Sequence, residues 1–426
     1  MSQGDDDDMA ETITAPAAVD ARRDDRRRPN WRSHLWPESG ALNSIPALDG
    51  LRAIAVLLVL LFHAWNDLPG YIQPGQNPYQ YPLNYGRTGV HLFFVLSGFL
   101  LFLPYARCMF GLGPLPSVKN LYRRRVLRVG PAYWVCLLLL VASAPQVVGG
   151  FLDVFLHLTF LSNMFPKTTF SINGVFWTMA VEVQYYALLP VIGWGLVTLS
   201  GRCGPRRAMG AAIGILFVAS LCSTYLVKSA RLSRLPVVGS LLLGEYSLPY
   251  WLAIFGAGIT CSVLYVYLTT VRPTALQMTR RRWGNTAMAA GLCIVLGIAF
   301  IPGAYHVPCK DIIFGVAYAG ILFGVLFGAP VVSGALTSRP LRFIGLISYS
   351  CYLWHSVVIN HFEARLPASM SLSEKFLLAC VLAGPLAIAV SYVTYQLTER
   401  PFMNLRRRAH EGMDKRTELA PVAAAR

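Results

Sequence analysis

The chain has 426 residues, 55% of them hydrophobic and only 14% charged, with a net charge of +16. Apolar runs of about 15–25 residues recur from Leu51 to Leu397, which excludes a soluble globule and indicates an all-α, multi-pass membrane protein. The basic excess sits in short clusters between these runs, as in cytoplasmic loops, so nucleic acid is not the expected partner.

Residues 1–43 open the chain with Asp5–Asp8, an Ala/Pro stretch and the mixed-charge run Arg22–Arg28. Such a segment cannot bury a core and reads as a disordered polar tail. It is not a secretory signal, because no apolar segment with a small-residue cleavage site follows closely. Residues 44–405 form the transmembrane domain, and 406–426 are again polar.

Ten spans are expected, at 51–66, 89–110, 129–144, 175–199, 209–227, 247–268, 284–301, 311–332, 343–361 and 376–397. With both termini in the cytoplasm, 28 of the 37 Lys and Arg residues fall on the inner side and 8 on the outer. The remaining one is Arg52, inside the first span. Residues 150–165 are apolar but short for a crossing and carry Asp153 and His157. They are expected to form an interfacial or re-entrant helix on the outer side. The nine Cys residues are scattered singly with no C-x-x-C pair, so they read as buried helix residues.

The first span carries Arg52 and His63 at opposite ends of ten apolar residues. Eleven steps of about 100° come to about 1100°, close to three full circles, with a rise of about 16 Å. The two side chains therefore share one helix face. Ionisable groups inside a span are functional candidates by default. The plainer alternative is an Arg that snorkels to the interface and a His bonded inside the bundle.

The second span opens with His91 and continues through Phe93-Phe94-Val95-Leu96-Ser97-Gly98-Phe99. Gly98 suits a close helix crossing, and Ser97 can bond a carbonyl one turn back. His91 lies near the outer end, where it could be merely interfacial. Next comes Tyr122-Arg123-Arg124-Arg125-Val126-Leu127-Arg128, then Pro131 and Tyr133-Trp134. Arg125 and Arg128 stand one turn apart at the inner face and suit a multivalent anion such as a nucleotide phosphate. Positive-inside charge accounts for part of the cluster.

Glu182 is the strongest polar intrusion, with Tyr185 and Tyr186 expected on its face. A carboxylate this deep must be paired, hydrated or protonated, and a structural ion pair is the alternative. In the ninth span Ser348, Tyr352 and His355 form one stripe. Topology puts His63, His91, Glu182 and His355 in the outer half, where four spans would converge. No histidine pair has metal-ligand spacing, so no metal is expected.

In order along the chain, the R-x10-H helix, Phe-Phe-Val-Leu-Ser-Gly-Phe, the basic cluster with Pro131, Trp177–Glu182–Tyr186, Tyr352-Leu353-Trp354-His355 and Glu399-Arg400-Pro401-Phe402 resemble the acyltransferase-3 family of membrane O-acyltransferases. The resemblance covers about Ile45 to Leu405. It implies ten membrane helices and transfer of an acyl group, often acetyl, from acyl-CoA, with no bound cofactor. The acceptor is expected to be a hydroxyl of a glycan, glycolipid or macrolide. The expected location is the inner (cytoplasmic) membrane. The family's paired Arg and His fall on Arg52 and His63, and its acidic residue on Glu182.

On this reading acyl-CoA docks from the cytoplasm with its phosphates on Arg125, Arg128 and Arg52. His63 is the general base and Glu182 orients it. His355 or Tyr352 binds the oxyanion or the acceptor, with His91, Tyr185 and Tyr186 lining the substrate site. The rival reading is a transporter or flippase of a lipid-linked sugar that uses the same groups as a proton relay. The topology is checked by reporter fusions. Alkaline phosphatase should be active when fused after Lys167 and inactive after Arg207, and the reverse pattern would overturn the orientation.

Overall fold

The computed structural model describes residues 45–68, 81–228, 244–273, 282–301 and 309–404. The tails expected at 1–43 and 406–426 lie outside the described residues. All regular structure among the described residues is helical. In chain order the helices are α1 (Pro46–Asn66), α2 (Gly89–Met109), α3 (Val118–Ser143), α4 (Phe151–Leu158), α5 (Phe176–Cys203), α6 (Pro205–Lys228) and α7 (Leu248–Val266). There follow α8 (Arg282–Phe300), α9 (Lys310–Phe327), α10 (Pro330–Leu336), α11 (Arg339–Leu346), α12 (Ser348–Glu363) and α13 (Leu372–Asn404). Nine of the described helices are long and apolar enough to cross a bilayer, or ten if the bent pair α11–α12 is counted as one span.

Local chemistry sets several helix starts. Pro46 stands in the first turn of α1, where its missing N–H costs nothing. The Ser117 side chain caps α3 by accepting from the Asn120 amide. Ser371 and Glu374 form a reciprocal capping box at the start of α13.

The span expected as continuous over 343–361 is broken. The chain bends by 76° between α11 and α12. Ile347 leaves the helical region at φ −90°, ψ 6°. The freed first turn of α12 is then satisfied from another helix. The Glu399 carboxylate accepts from both the amide and the hydroxyl of Ser350. Negative charge at a helix N-terminus is stabilising, so α13 fixes where α12 begins. Tyr349 adds a hydrogen bond from its hydroxyl to the Val129 carbonyl at 2.8 Å.

Residues 150–165 hold only the eight-residue α4 and a single 3-10 turn at Ser162–Met164, too short to cross. Phe151 and Leu152 are 87% and 65% exposed, an apolar face turned outward. The segment is tied to the middle of α3, where Tyr133 donates to the His157 carbonyl and Trp134 to that of Leu158. Since α3 runs on for about 15 Å beyond Tyr133, the end of α4 folds back alongside the upper part of that helix.

Helix α2 is the centre of the bundle and packs on α1, α5, α7 and α9. It crosses α7 at Gly98 and Gly258. A Cβ on Gly98 would run into the Phe255 carbonyl oxygen, and one on Gly258 into that of Val95. Small residues at such crossings let two backbones touch where lipid supplies no hydrophobic drive. Gly98→Leu should therefore cost about 1–3 kcal/mol or more, read as a lowered melting temperature in detergent. An unchanged melting temperature would contradict this crossing.

Candidate active site

A cavity opens between α1, α2, α3, α5 and α12. Arg52, Arg125 and Arg128 all line it, so three guanidinium groups from two helices face one space. Among the described residues, the Arg52 guanidinium reaches only Asp49, at 3.4 Å. Arg125 lies over the Tyr186 ring, 5.7 Å from its centroid, and its Nε is buried without a partner. Among the described residues, Glu182 is the single carboxylate in the lining. Its Oε1 accepts from Ser97 at 2.7 Å and from Tyr186 at 2.6 Å. The cavity is thus net positive, and its one anion is already hydrogen-bonded. Such a site suits a phosphate-bearing ligand.

The far wall is Tyr352. Its hydroxyl bonds that of Thr178 at 2.7 Å, and its ring packs on Phe93 and on His355. Beyond it, one turn further along α12, the His355 ring meets that of His63 with centroids 5.0 Å apart. Arg52 and His63 therefore both face α12, on two sides of Tyr352. Neither histidine is part of the cavity lining.

The hydrogen bonds fix the imidazole tautomers. His63 Nδ1 lies 2.9 Å from Asp67 Oδ2. Burial pushes the Asp67 carboxyl up, but the hydrogen bond it accepts from His63 works against burial, and the group is held below the usual carboxylate range. An ionised carboxylate only accepts, so Nδ1 of His63 carries the proton and Nε2 keeps a bare lone pair. His355 Nδ1 lies 3.0 Å from the Cys351 carbonyl, which also only accepts. Its Nε2 is likewise bare, buried and without a partner.

Several expectations change. Glu182 is bonded to Ser97 and Tyr186, and the carboxylate on His63 is Asp67. The sequence signal was present: His63 and Asp67 are four residues apart at a helix end, so they share a face. His355 as a neutral ring has no N–H at its free nitrogen, so it is a hydrogen-bond acceptor and not an oxyanion donor. His91 does not join the other histidines. It bonds Asp311 at 2.9 Å, Asp311 also accepts from Tyr250, and the ring packs on Trp251 and Phe314. It is two helical steps from Phe93, about 200° around the helix, so His91 faces α7 and α9 instead of the cavity. Tyr185 also turns away and stacks on Phe255 at 3.9 Å. Tyr186 and Tyr352 do line the cavity. Ser97, read as a packing residue, is a Glu182 ligand.

The acyltransferase-3 family model, described as an acyltransferase domain, matches residues 45–396. The chain belongs to this family. Among curated relatives, ORF330 of Acidianus two-tailed virus, provisionally named an acetyltransferase, is 25% identical over 329 residues. That match covers 74% of this chain and 83% of the viral protein. The peptidoglycan O-acetyltransferase OatA of Listeria monocytogenes is 24% identical over 340 residues, covering 74% of this acyltransferase-3 member and 49% of OatA. The O-acetyltransferase OatA of Staphylococcus aureus is 23% identical over 401 residues, covering 84% and 57%. The chain thus spans about half the length of these bacterial relatives. No solved structure matches it.

Three clustered guanidinium groups in a membrane protein should bind a polyphosphate directly. Millimolar pyrophosphate should raise the melting temperature of the purified protein by several degrees, through binding to the folded state. The double variant Arg125→Ala, Arg128→Ala should lose that shift. A shift of equal size in the double variant would contradict the anion site.

Proposed function

We propose that this acyltransferase-3 member is a membrane O-acyltransferase that moves an acyl group, acetyl in the simplest case, from acyl-CoA to a carbohydrate hydroxyl. The observation that carries the reading is the arrangement along α1 and α12, with a cationic cavity at Arg52 and an imidazole with a free basic nitrogen one turn past Tyr352. The CoA phosphates would lie against Arg125, Arg128 and Arg52. The pantetheine arm would pass Tyr352 and bring the thioester to His63.

His63 Nε2 would take the proton from the acceptor hydroxyl as its oxygen attacks the thioester carbonyl. Asp67 would hold the ring and stabilise the imidazolium that forms. The C–S bond then breaks, and His63 returns the proton to the thiolate as CoA leaves. Protons balance without a further donor. Glu182, fixed by Ser97 and Tyr186, would position the Arg cluster. The relatives' names, O-acetyltransferase and peptidoglycan O-acetyltransferase, support acetyl transfer and a cell-wall glycan acceptor for this chain; the inner (cytoplasmic) membrane is part of the proposal.

The test is transfer of radiolabelled acetyl from acetyl-CoA by purified protein in detergent, with CoA release followed alongside. His63→Ala should lower the rate about 10²–10⁴-fold. Asp67→Asn should cost up to about 10⁴-fold, because an amide can leave the ring in the wrong tautomer. A fully active His63→Ala enzyme would end the base assignment. Wild-type protein that releases no CoA would favour the transport reading instead.

A further inference from the structure

A second cavity lies beside the first. It is a groove between α3 and α5 that shares Arg125, Val129 and Tyr186 with the cationic cavity. Tyr122 stands at one end of it, Trp134 and Phe160 at the other. Val126 and Ala187 line it and are exposed, so it opens on the lipid-facing surface of the bundle. Gly130 gives it depth. A Cβ there would run into the Trp134 ring, which lies against the bare backbone instead. Phe160 holds φ at 57°, which a bulky side chain rarely adopts. Its ring packs on Tyr133, with centroids 4.4 Å apart, and closes the groove beside Trp134.

The groove presents almost only carbon. The Tyr122 hydroxyl donates to the Ala187 carbonyl, that of Tyr186 to Glu182, and the Trp134 indole to the Leu158 carbonyl. With these groups engaged elsewhere, the wall offers hydrocarbon contact. Charge appears at its Tyr122 end. Lys119 and Arg123 are exposed there. By the helical repeat they stand within about 20° of Val126 and Gly130, on the face of α3 that forms the groove. Depth agrees with this polarity. Counted back along α3 from Ser143, about 30 Å of helix ends at Arg123, which is the thickness of the hydrocarbon core. Arg123 is thus level with the lipid phosphates of one leaflet. Trp134 lies about 16 Å further in, close to the bilayer midplane. The groove has the length of one leaflet, with cations at the headgroup level and an aromatic stop at the other end.

We propose that this groove binds one anionic phospholipid, with its headgroup phosphate on Lys119 and Arg123 and one acyl chain lying along α3 as far as Trp134. A choline or ethanolamine headgroup would bring a positive charge against the two cations, whereas an anionic headgroup leaves its phosphate uncompensated and available to them. The chain packs on the Arg125 stem and the Tyr186 ring, the back wall of the cationic cavity. The site stands whether or not acetyl-CoA is the donor.

The experiment uses phospholipids brominated on the acyl chain, which quench tryptophan on contact. The full-length protein is reconstituted in phosphatidylcholine vesicles that contain a minor fraction of either brominated phosphatidylglycerol or brominated phosphatidylcholine. The part due to Trp134 is obtained by subtracting the quenching of Trp134→Phe. It should be about three- to tenfold larger with the brominated phosphatidylglycerol. In the double variant Lys119→Gln, Arg123→Gln, both at exposed positions, that ratio should fall to about one, with quenching by the phosphatidylcholine unchanged. Ala187→Phe, which fills the groove, should lower Trp134 quenching by both lipids. Equal quenching by the two lipids in the wild-type protein, or a preference that survives the double variant, would overturn the headgroup site. Absence of any Trp134 quenching, or full quenching in Ala187→Phe, would overturn the groove as the place of the chain.

Discussion

The hydrogen bond from His63 to Asp67 governs the rest of the site. A histidine can present either ring nitrogen as the base, and which one is free depends on what the other touches. Asp67 stands just beyond the end of α1, close enough to pin Nδ1 and acidic enough to stay ionised while doing so. The lone pair is thereby committed to Nε2. Without that anion the ring would have two tautomers and no fixed direction. The carboxylate also offers a stabilising partner to any imidazolium formed during a reaction, in a region where an uncompensated charge would be expensive.

The second constraint is the placement of α12. Its first turn is freed by the break at Ile347 and clasped by Glu399 from the last helix. From that fixed start, Tyr349 and Tyr352 reach the cavity and His355 reaches His63. The motif Glu399-Arg400-Pro401 is distant from His63 in the chain, yet it sets the position of the ring beside it. Tyr352 and Phe93 pack together at the cavity wall, and His355 with His63 lies on the other side of the Tyr352 ring.

Much of this was legible in the sequence, because membrane helices announce themselves through length and apolarity. The shared face of Arg52 and His63 follows from the helical repeat alone, and the clustering of Arg125 and Arg128 from their one-turn spacing. The short apolar segment at 150–165 could be denied a crossing by length. What the sequence did not yield was rotation about each helix axis relative to its neighbours. His91 was expected at the depth of His63, but its ring points to Asp311 and Trp251. Tyr185 and Tyr186 are adjacent, and only one meets Glu182. Depth is set by the linear order of the chain, whereas facing is set by side-chain packing between helices. The break in the ninth span was hidden for a related reason, since the groups that satisfy the freed α12 amides come from another helix.

The most direct test of the account is the tautomer of His63. Nitrogen NMR of protein labelled with 15N-histidine, with the His63 signals assigned by their loss in His63→Gln, reads the proton position on each ring nitrogen. The account predicts a protonated Nδ1 and an unprotonated Nε2 at neutral pH, with that preference lost in Asp67→Asn. A proton on Nε2 in the wild-type protein would contradict it.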